Sequence, residues 1–139
     1  METIRKEKKS ERLGMSKDMV DEKSSVIKKN LLDLNILNNG NSIAAFSSFQ
    51  NEPHTEEFIN YLCSEEKEVS LPVTHKGSLK FYNNKIDSLV LKNRFGISEP
   101  DVTQAEEIPI QSLDIILIPL VAFDRSRNLI GIGSVFYDK

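Results

Sequence analysis

Glycine spacing near the carboxyl end marks the first place where this sequence could do chemistry. The segment Gly131-Ile132-Gly133-Ser134-Val135-Phe136-Tyr137-Asp138 carries two glycines two apart. Glycines of this kind let backbone N–H groups approach phosphate oxygens closely. A simple turn between two strands fits the same spacing. Glu52 is the second place. It follows an apolar run read below as a buried strand, at the carboxyl edge where open α/β sheets put their ligands. A carboxylate there can accept hydrogen bonds from a ring N–H and an amino group, although a solvated loop acid is the plainer reading. The third is the basic opening of Arg5, Lys6, Lys8, Lys9 and Arg12, which suits phosphates or carboxylates. Charge at that density ordinarily marks a solvated helix face. His54 and His75 are too far apart to be read as a metal pair, and Cys63 is the single cysteine, so all three are assigned structural or surface roles. The absence of a Gly-x-Ser-x-Gly elbow, a His-Glu-x-x-His helix and a Walker A lysine argues against a serine hydrolase, a zinc protease and a P-loop enzyme.

Elements that could position these groups follow from the patterning. A charged helix is expected over 2–13, interrupted at Gly14. Ser16 then caps a second helix, with Asp18 in its first turn and Val20, Ile27, Leu31 and Leu34 on its inner face. The Asn38-Asn39-Gly40-Asn41 stretch ends it. Ile43-Ala44-Ala45-Phe46 has the unbroken apolar character of a buried parallel strand. A loop holding Glu52, Pro53 and His54 follows. Thr55 is placed to cap a helix with Phe58, Ile59 and Leu62 inside, and Val69 to Val73 is the next strand. Leu79 to Tyr82 reads as a strand turning at Asn83-Asn84, with Leu89 to Leu91 as its hairpin partner. Residues 92–112 read as a long loop, and Asp114 to Ile118 as a strand ended by Pro119. No internal repeat is evident.

The 139 residues suit one domain, 39% hydrophobic and 28% charged, an ordinary folded balance. The longest apolar run, Leu113 to Phe123, is broken by Asp114 and Pro119, and no signal-peptide core follows the charged N-terminus, so the expected compartment is the cytoplasm. A net charge of −3 gives no sign of nucleic-acid binding.

Several segments taken in order resemble the 5-formyltetrahydrofolate cyclo-ligase family, also called methenyltetrahydrofolate synthetase. They are Ile4-Arg5 in a basic first helix, Phe46 to Glu52 with Thr55, Leu71-Pro72, Gly96 to Pro100, Asp114 to Asp124, and Gly131-x-Gly133 with Phe136-Tyr137-Asp138. An unrelated small α/β interaction module would need all six matches to be accidental. The resemblance implies a three-layer α/β/α sandwich around a mainly parallel sheet. It implies ATP- and magnesium-dependent closure of 5-formyltetrahydrofolate to 5,10-methenyltetrahydrofolate. On that chemistry the formyl oxygen attacks the γ-phosphate, the N10 amine attacks the resulting phospho-imidate, and phosphate leaves. Such a reaction needs positioning and charge neutralisation more than a protein nucleophile, so no catalytic residue is named. Arg5 and Gly131, Ile132, Gly133, Ser134, Val135, Phe136, Tyr137 and Asp138 would hold ATP, while Ser47, Phe49 and Glu52 would hold the folate. The partners are then small molecules, with neither nucleic acid nor membrane, and the protein a monomer.

The sequence departs from the family at the nucleotide loop. The family pattern there is Arg-Leu-Gly-x-Gly-x-Gly-Tyr-Tyr-Asp, and this chain has Leu129 at the arginine and Val135 at the third glycine. The first change removes a fork suited to phosphate, and the second blocks close backbone approach. A basic residue four positions before Arg5 would fall on Met1. Family members continue past the Tyr-Asp pair, so the expectation is a single domain over 1–139 lacking the C-terminal strands and helices, with an unpaired edge near Asp114 to Ile118. Impaired ATP use would make it a folate-binding remnant of the enzyme.

Overall fold

The computed structural model describes residues 2–34, 40–75, 78–84, 90–92 and 97–131. Helices α1 (Glu2–Leu13) and α2 (Lys17–Leu32) come first. Strand β1 (Ser42–Ala44), helix α3 (Glu56–Ser64) and strand β2 (Glu68–His75) follow as a parallel crossover unit. The remaining strands are β3 (Ser78–Asn83), β4 (Val90–Lys92), β5 (Ser98–Pro100), β6 (Glu107–Ile108), β7 (Ile115–Ile116), β8 (Ala122–Phe123) and β9 (Leu129–Ile130).

The main sheet has the order β6-β3-β2-β1-β7. β1 is parallel to β2 and to β7, while β3 is antiparallel to both β2 and β6, so only β3 runs against the rest. This is the expected mainly parallel α/β sheet. On one face Ile43, Ala45, Val69 and Leu71, with Ile115 and Leu117, pack against Phe58, Ile59 and Leu62 of α3 and Leu31 and Leu32 of α2. A valine, leucine, isoleucine or phenylalanine side chain in this set, when fully buried, contributes about 1.5–3 kcal/mol. Ala44 and Ser70 on the opposite face are also fully buried, so both faces of the sheet are covered.

Pro72 lies inside β2, where a missing N–H would ordinarily break a ladder. β1 pairs with β2 only as far as Ser70, and Ala45 makes the last bond across, to Ser70 O. Beyond that point β2 has lost this neighbour, and the Thr74 N–H is taken instead by the Glu99 carboxylate at 3.0 Å. Pro72 sits in the gap between the two, where no donor is needed.

Several expectations are corrected. α2 ends at Leu32, before the asparagine stretch, and Ile27 and Leu34 lie outside, 40% and 48% exposed. Val20 and Leu31 do face inward as expected, and Ser24 and Leu32 join them. The Ser24 hydroxyl donates to Val20 O at 2.6 Å and accepts the His54 N–H at 2.8 Å, so a polar tie sets how the helix docks. Thr55 does not cap α3 with its side chain; its hydroxyl donates to Phe46 O at 2.6 Å. β4 pairs with β5 and not with β3, whose two edges are taken by β2 and β6. Residues 92–112 are therefore not one loop, and among the described residues they hold β5, β6 and a 3-10 turn at Ile110–Ser112.

The strand expected over Asp114 to Ile118 is shorter, and it lies at the end of the sheet order. Its start is fixed by Asp114, whose Oδ2 accepts the N–H groups of Asn41 and Ser42 at 2.9 and 3.1 Å. Those two bonds hold the Asp114 carboxyl below the usual range. A depressed folded-state value adds stability that is present above the unfolded value and is lost as pH falls through the folded one. Asp114→Asn is accordingly expected to lower Tm at neutral pH. The gap to the wild type should close as pH falls below the ordinary Asp value of about 3.9, which thermal melts across an acid series would show.

Candidate functional site

α1 turns only part of its basic run inward, and Lys6 and Lys8 stay exposed. Arg5, Lys9 and Arg12, spaced i, i+4, i+7, form the less exposed face, whereas Ile4 and Leu13 are 47% and 48% exposed. The plainer reading of the basic opening as a solvated face therefore holds for Lys6 and Lys8 and fails for Arg12, which is buried.

At one end of this face Arg5 reaches the start of the glycine segment. Its Nε donates to Gly131 O at 3.0 Å, and one terminal nitrogen pairs with Glu2. Residues 126 positions apart are thus brought together. The hairpin β8–β9, which leads into Gly131, lies against α1. Leu129 is on that hairpin, opposite Phe123, and half exposed. Ile132, Gly133, Ser134, Val135, Phe136, Tyr137 and Asp138 lie outside the described residues.

At the other end Arg12 meets the loop that follows β1. Phe49 to Glu52 forms a tight turn in which Gln50 and Asn51 both have positive φ, 49° and 61°. Glu52 N donates to Phe49 O at 3.1 Å, and Phe49 N donates back to Glu52 Oε2 at 3.0 Å. Glu52 is thereby turned inward and is only 5% exposed. Burial pushes its carboxyl up, against the opposing pull of the Arg12 guanidinium and the Phe49 N–H. Oε1 of Glu52 carries no hydrogen bond among the described residues, so the carboxylate keeps acceptor capacity.

Asn51 fastens this turn to α1. Its Nδ2 lies 2.9, 3.4 and 3.2 Å from the carbonyl oxygens of Arg12 and Leu13, in the last turn of α1, and of Met15 just beyond it. Asparagine also tolerates the left-handed backbone better than most residues. Asn51→Ala should therefore cost about 1–3 kcal/mol, as lost polar partners and backbone strain together predict. Chemical denaturation would measure it.

Beside the turn lies a cleft of about 910 Å³, within the range of small-molecule sites. Ser47, Ser48 and Thr55 from the post-β1 loop, Leu71 from β2 and Ser98 from β5 all line it. Lys17 and Lys28 of α2 stand on its wall, with Lys28 paired to Glu57 at 3.4 Å. Ser47 is the expected folate residue that faces the cleft. Phe49 and Glu52 belong to the turn that follows Ser48 and are not among its lining residues, while Ser48, which is, accepts the Thr55 N–H at 3.1 Å. Thus Ser47, Leu71 and Ser98, from segments far apart in sequence, line one cleft near the carboxyl end of β1, where sheets of this type bind ligands.

The model of the 5-formyltetrahydrofolate cyclo-ligase family matches residues 1–139. The chain belongs to that family. Over 101 residues it is 40% identical to the 5-formyltetrahydrofolate cyclo-ligase of Haemophilus influenzae, a match covering 70% of this chain and 54% of that protein. The Escherichia coli K12 enzyme of the same name is 38% identical over 101 residues, covering 70% and 56%. The chain therefore spans about half the length of these curated relatives. In three dimensions it is similar to the 5,10-methenyltetrahydrofolate synthetase of Aquifex aeolicus, with a TM-score of 0.86 at 24% identity, covering 99% of this chain and 69% of that one. That likeness bears out the fold.

Sequence reasoning named Arg12 only within the basic opening and missed Asn51 and Ser24 as parts of the site. The i, i+7 spacing of Arg5 and Arg12 was a usable signal that the two share a face. Nothing in the sequence announced that Asn51 would cap α1 from a distant turn.

Proposed function

We propose that this cyclo-ligase family member acts on a reduced folate, closing 5-formyltetrahydrofolate to 5,10-methenyltetrahydrofolate with ATP converted to ADP and phosphate. The observation that carries the reading is that Ser47, Leu71 and Ser98 line one cleft while Arg5 stands at Gly131. The cleft would take the folate, with Glu52 accepting from the ring N–H and amino donors. Arg5 and the segment from Gly131 through Asp138 would take the nucleotide, Arg5 neutralising phosphate charge. Magnesium bound with ATP takes phosphate oxygens and water, and asks few ligands of the protein. The chain's own residues then bind, align and neutralise, which is what a reaction between two bound substrates needs. On this reading the protein is a single-domain monomer of the cytoplasm. Among the described residues no helix is long and apolar enough to cross a membrane.

The test is near-ultraviolet absorbance of methenyltetrahydrofolate, with 5-formyltetrahydrofolate and magnesium ATP as substrates. Product that appears only with ATP supports the reading. A second reading, a folate-binding protein impaired in ATP use, is favoured by Leu129, which leaves an exposed leucine where the family carries arginine. Saturable folate binding without turnover would select it.

Leu129 also offers a gain-of-function test. It is half exposed on a short hairpin, so arginine there displaces no core packing. Leu129→Arg should tighten magnesium ATP binding by about tenfold, the value of one added charge-assisted contact. Calorimetric titration would show it.

A further inference from the structure

Arg12 is nine-tenths buried, and its Nε, Nη1 and Nη2 are shielded from solvent with no hydrogen-bond partner among the described residues. An isolated buried cation costs several kcal/mol unless a counter-charge offsets it. The charged group that bears on it is Glu52, itself buried and lying in the turn that Asn51 pins to the Arg12 carbonyl. Because the three nitrogens are closed off from solvent, a bound ligand would not touch them. Their influence runs through the carboxylate.

We infer that Arg12 is a positioning residue, whose guanidinium fixes Glu52 as an anion facing the folate ring with acceptors alone. This rests on the reading of Glu52 as the group that accepts from the ring N–H and amino donors. A protonated Glu52 would present an O–H to those donors, and one hydrogen bond would become a clash of donors. Burial alone drives Glu52 toward that protonated form. Against it stand the Phe49 N–H from its own turn and Arg12 from α1. The nearest other titratable pair of the loop, His54 with Asp21 of α2 at 3.0 Å, is half exposed and satisfied within itself.

The experiment uses the full chain with ¹³C-labelled glutamate carboxyls, followed by NMR titration without ligand. Binding of 5-formyltetrahydrofolate is measured in parallel from pH 6 to 9. In Arg12→Met the Glu52 midpoint should rise by about one pH unit or more, the usual effect of losing an adjacent cation. Folate affinity should fall in Arg12→Met and recover as the pH is raised, while Arg12→Lys restores both. In a Glu52→Gln background the Arg12→Met change should lose its effect on binding. A folded Arg12→Met protein with an unmoved Glu52 midpoint overturns the inference. So does an affinity loss that is the same at every pH, which is the mark of a merely structural role. If Arg12→Met does not fold, Arg12→Gln, which keeps a polar group but no charge, decides by the same midpoint. Should the wild type bind no folate at any pH, the functional reading fails, while the midpoint shift still decides whether Arg12 sets the charge of Glu52.

Discussion

Glu52→Ala is expected to weaken 5-formyltetrahydrofolate binding by about a hundredfold or more, with magnesium ATP affinity nearly unchanged. The carboxylate is 5% exposed, so its hydrogen bonds to a ligand would form out of competition with water. Two charge-assisted bonds at about 1.5–3 kcal/mol each set the scale, with a factor of ten for every 1.4 kcal/mol or so. A donor pair on the ligand left without acceptors in a closed site adds to the loss. Glu52→Gln should fall between, because the amide keeps one acceptor but opposes the second donor with its own N–H groups. ATP should be spared, since Arg5 lies seven residues, or about 10 Å, along α1 from Arg12. Titration of each ligand separately would check this. A Glu52→Ala affinity within threefold of wild type would remove Glu52 from the folate site.

What could be read from the sequence was what local pattern dictates. The apolar run at Ile43 to Phe46 predicted a buried parallel strand, and Ile43, Ala44 and Ala45 are fully buried between two parallel neighbours. Phe58, Ile59 and Leu62 predicted the inner face of α3, which they form. Ser16 predicted an N-cap, and its hydroxyl accepts the Met19 N–H. The failures came where a distant partner decides. Leu89 to Leu91 had strand character, but whether β3 had a free edge depended on β2 and β6, which no local pattern reports. Val20 and Leu31 met that helical spacing, whereas Leu34 falls beyond the end of α2 and Ile27 stays 40% exposed, with the Ser24 tie to the His54 N–H on the inner face beside it. Arg12 was read as solvated because dense charge along a helix ordinarily marks a solvated face. It is buried instead, next to a loop forty residues on whose Glu52 is buried as well. The site is a junction between α1 and the post-β1 loop, and junctions are where one-dimensional patterns carry least.

Arg5→Ala is expected to weaken magnesium ATP binding by about ten- to a hundredfold while leaving folate binding within a fewfold of wild type. The guanidinium is committed to Gly131 O through Nε and to Glu2 through one terminal nitrogen, and its side chain is 24% exposed. It therefore has donors to spare, close to where the glycine segment begins. One arginine–phosphate contact carries about 1.5–3 kcal/mol, which sets the expected range. Arg5→Lys should recover only part of the loss, because a point charge neutralises phosphate but cannot donate as a fork or hold Gly131 in the same geometry. Salt separates the roles. An exposed arginine acting on phosphate loses its advantage as ionic strength rises, so wild type and Arg5→Ala should converge at high salt. If Arg5 served only to fasten the hairpin to α1, its removal would instead lower Tm and weaken both ligands together at every salt concentration. That pattern in calorimetric titrations and melts would take Arg5 out of the nucleotide site and leave it a structural clasp.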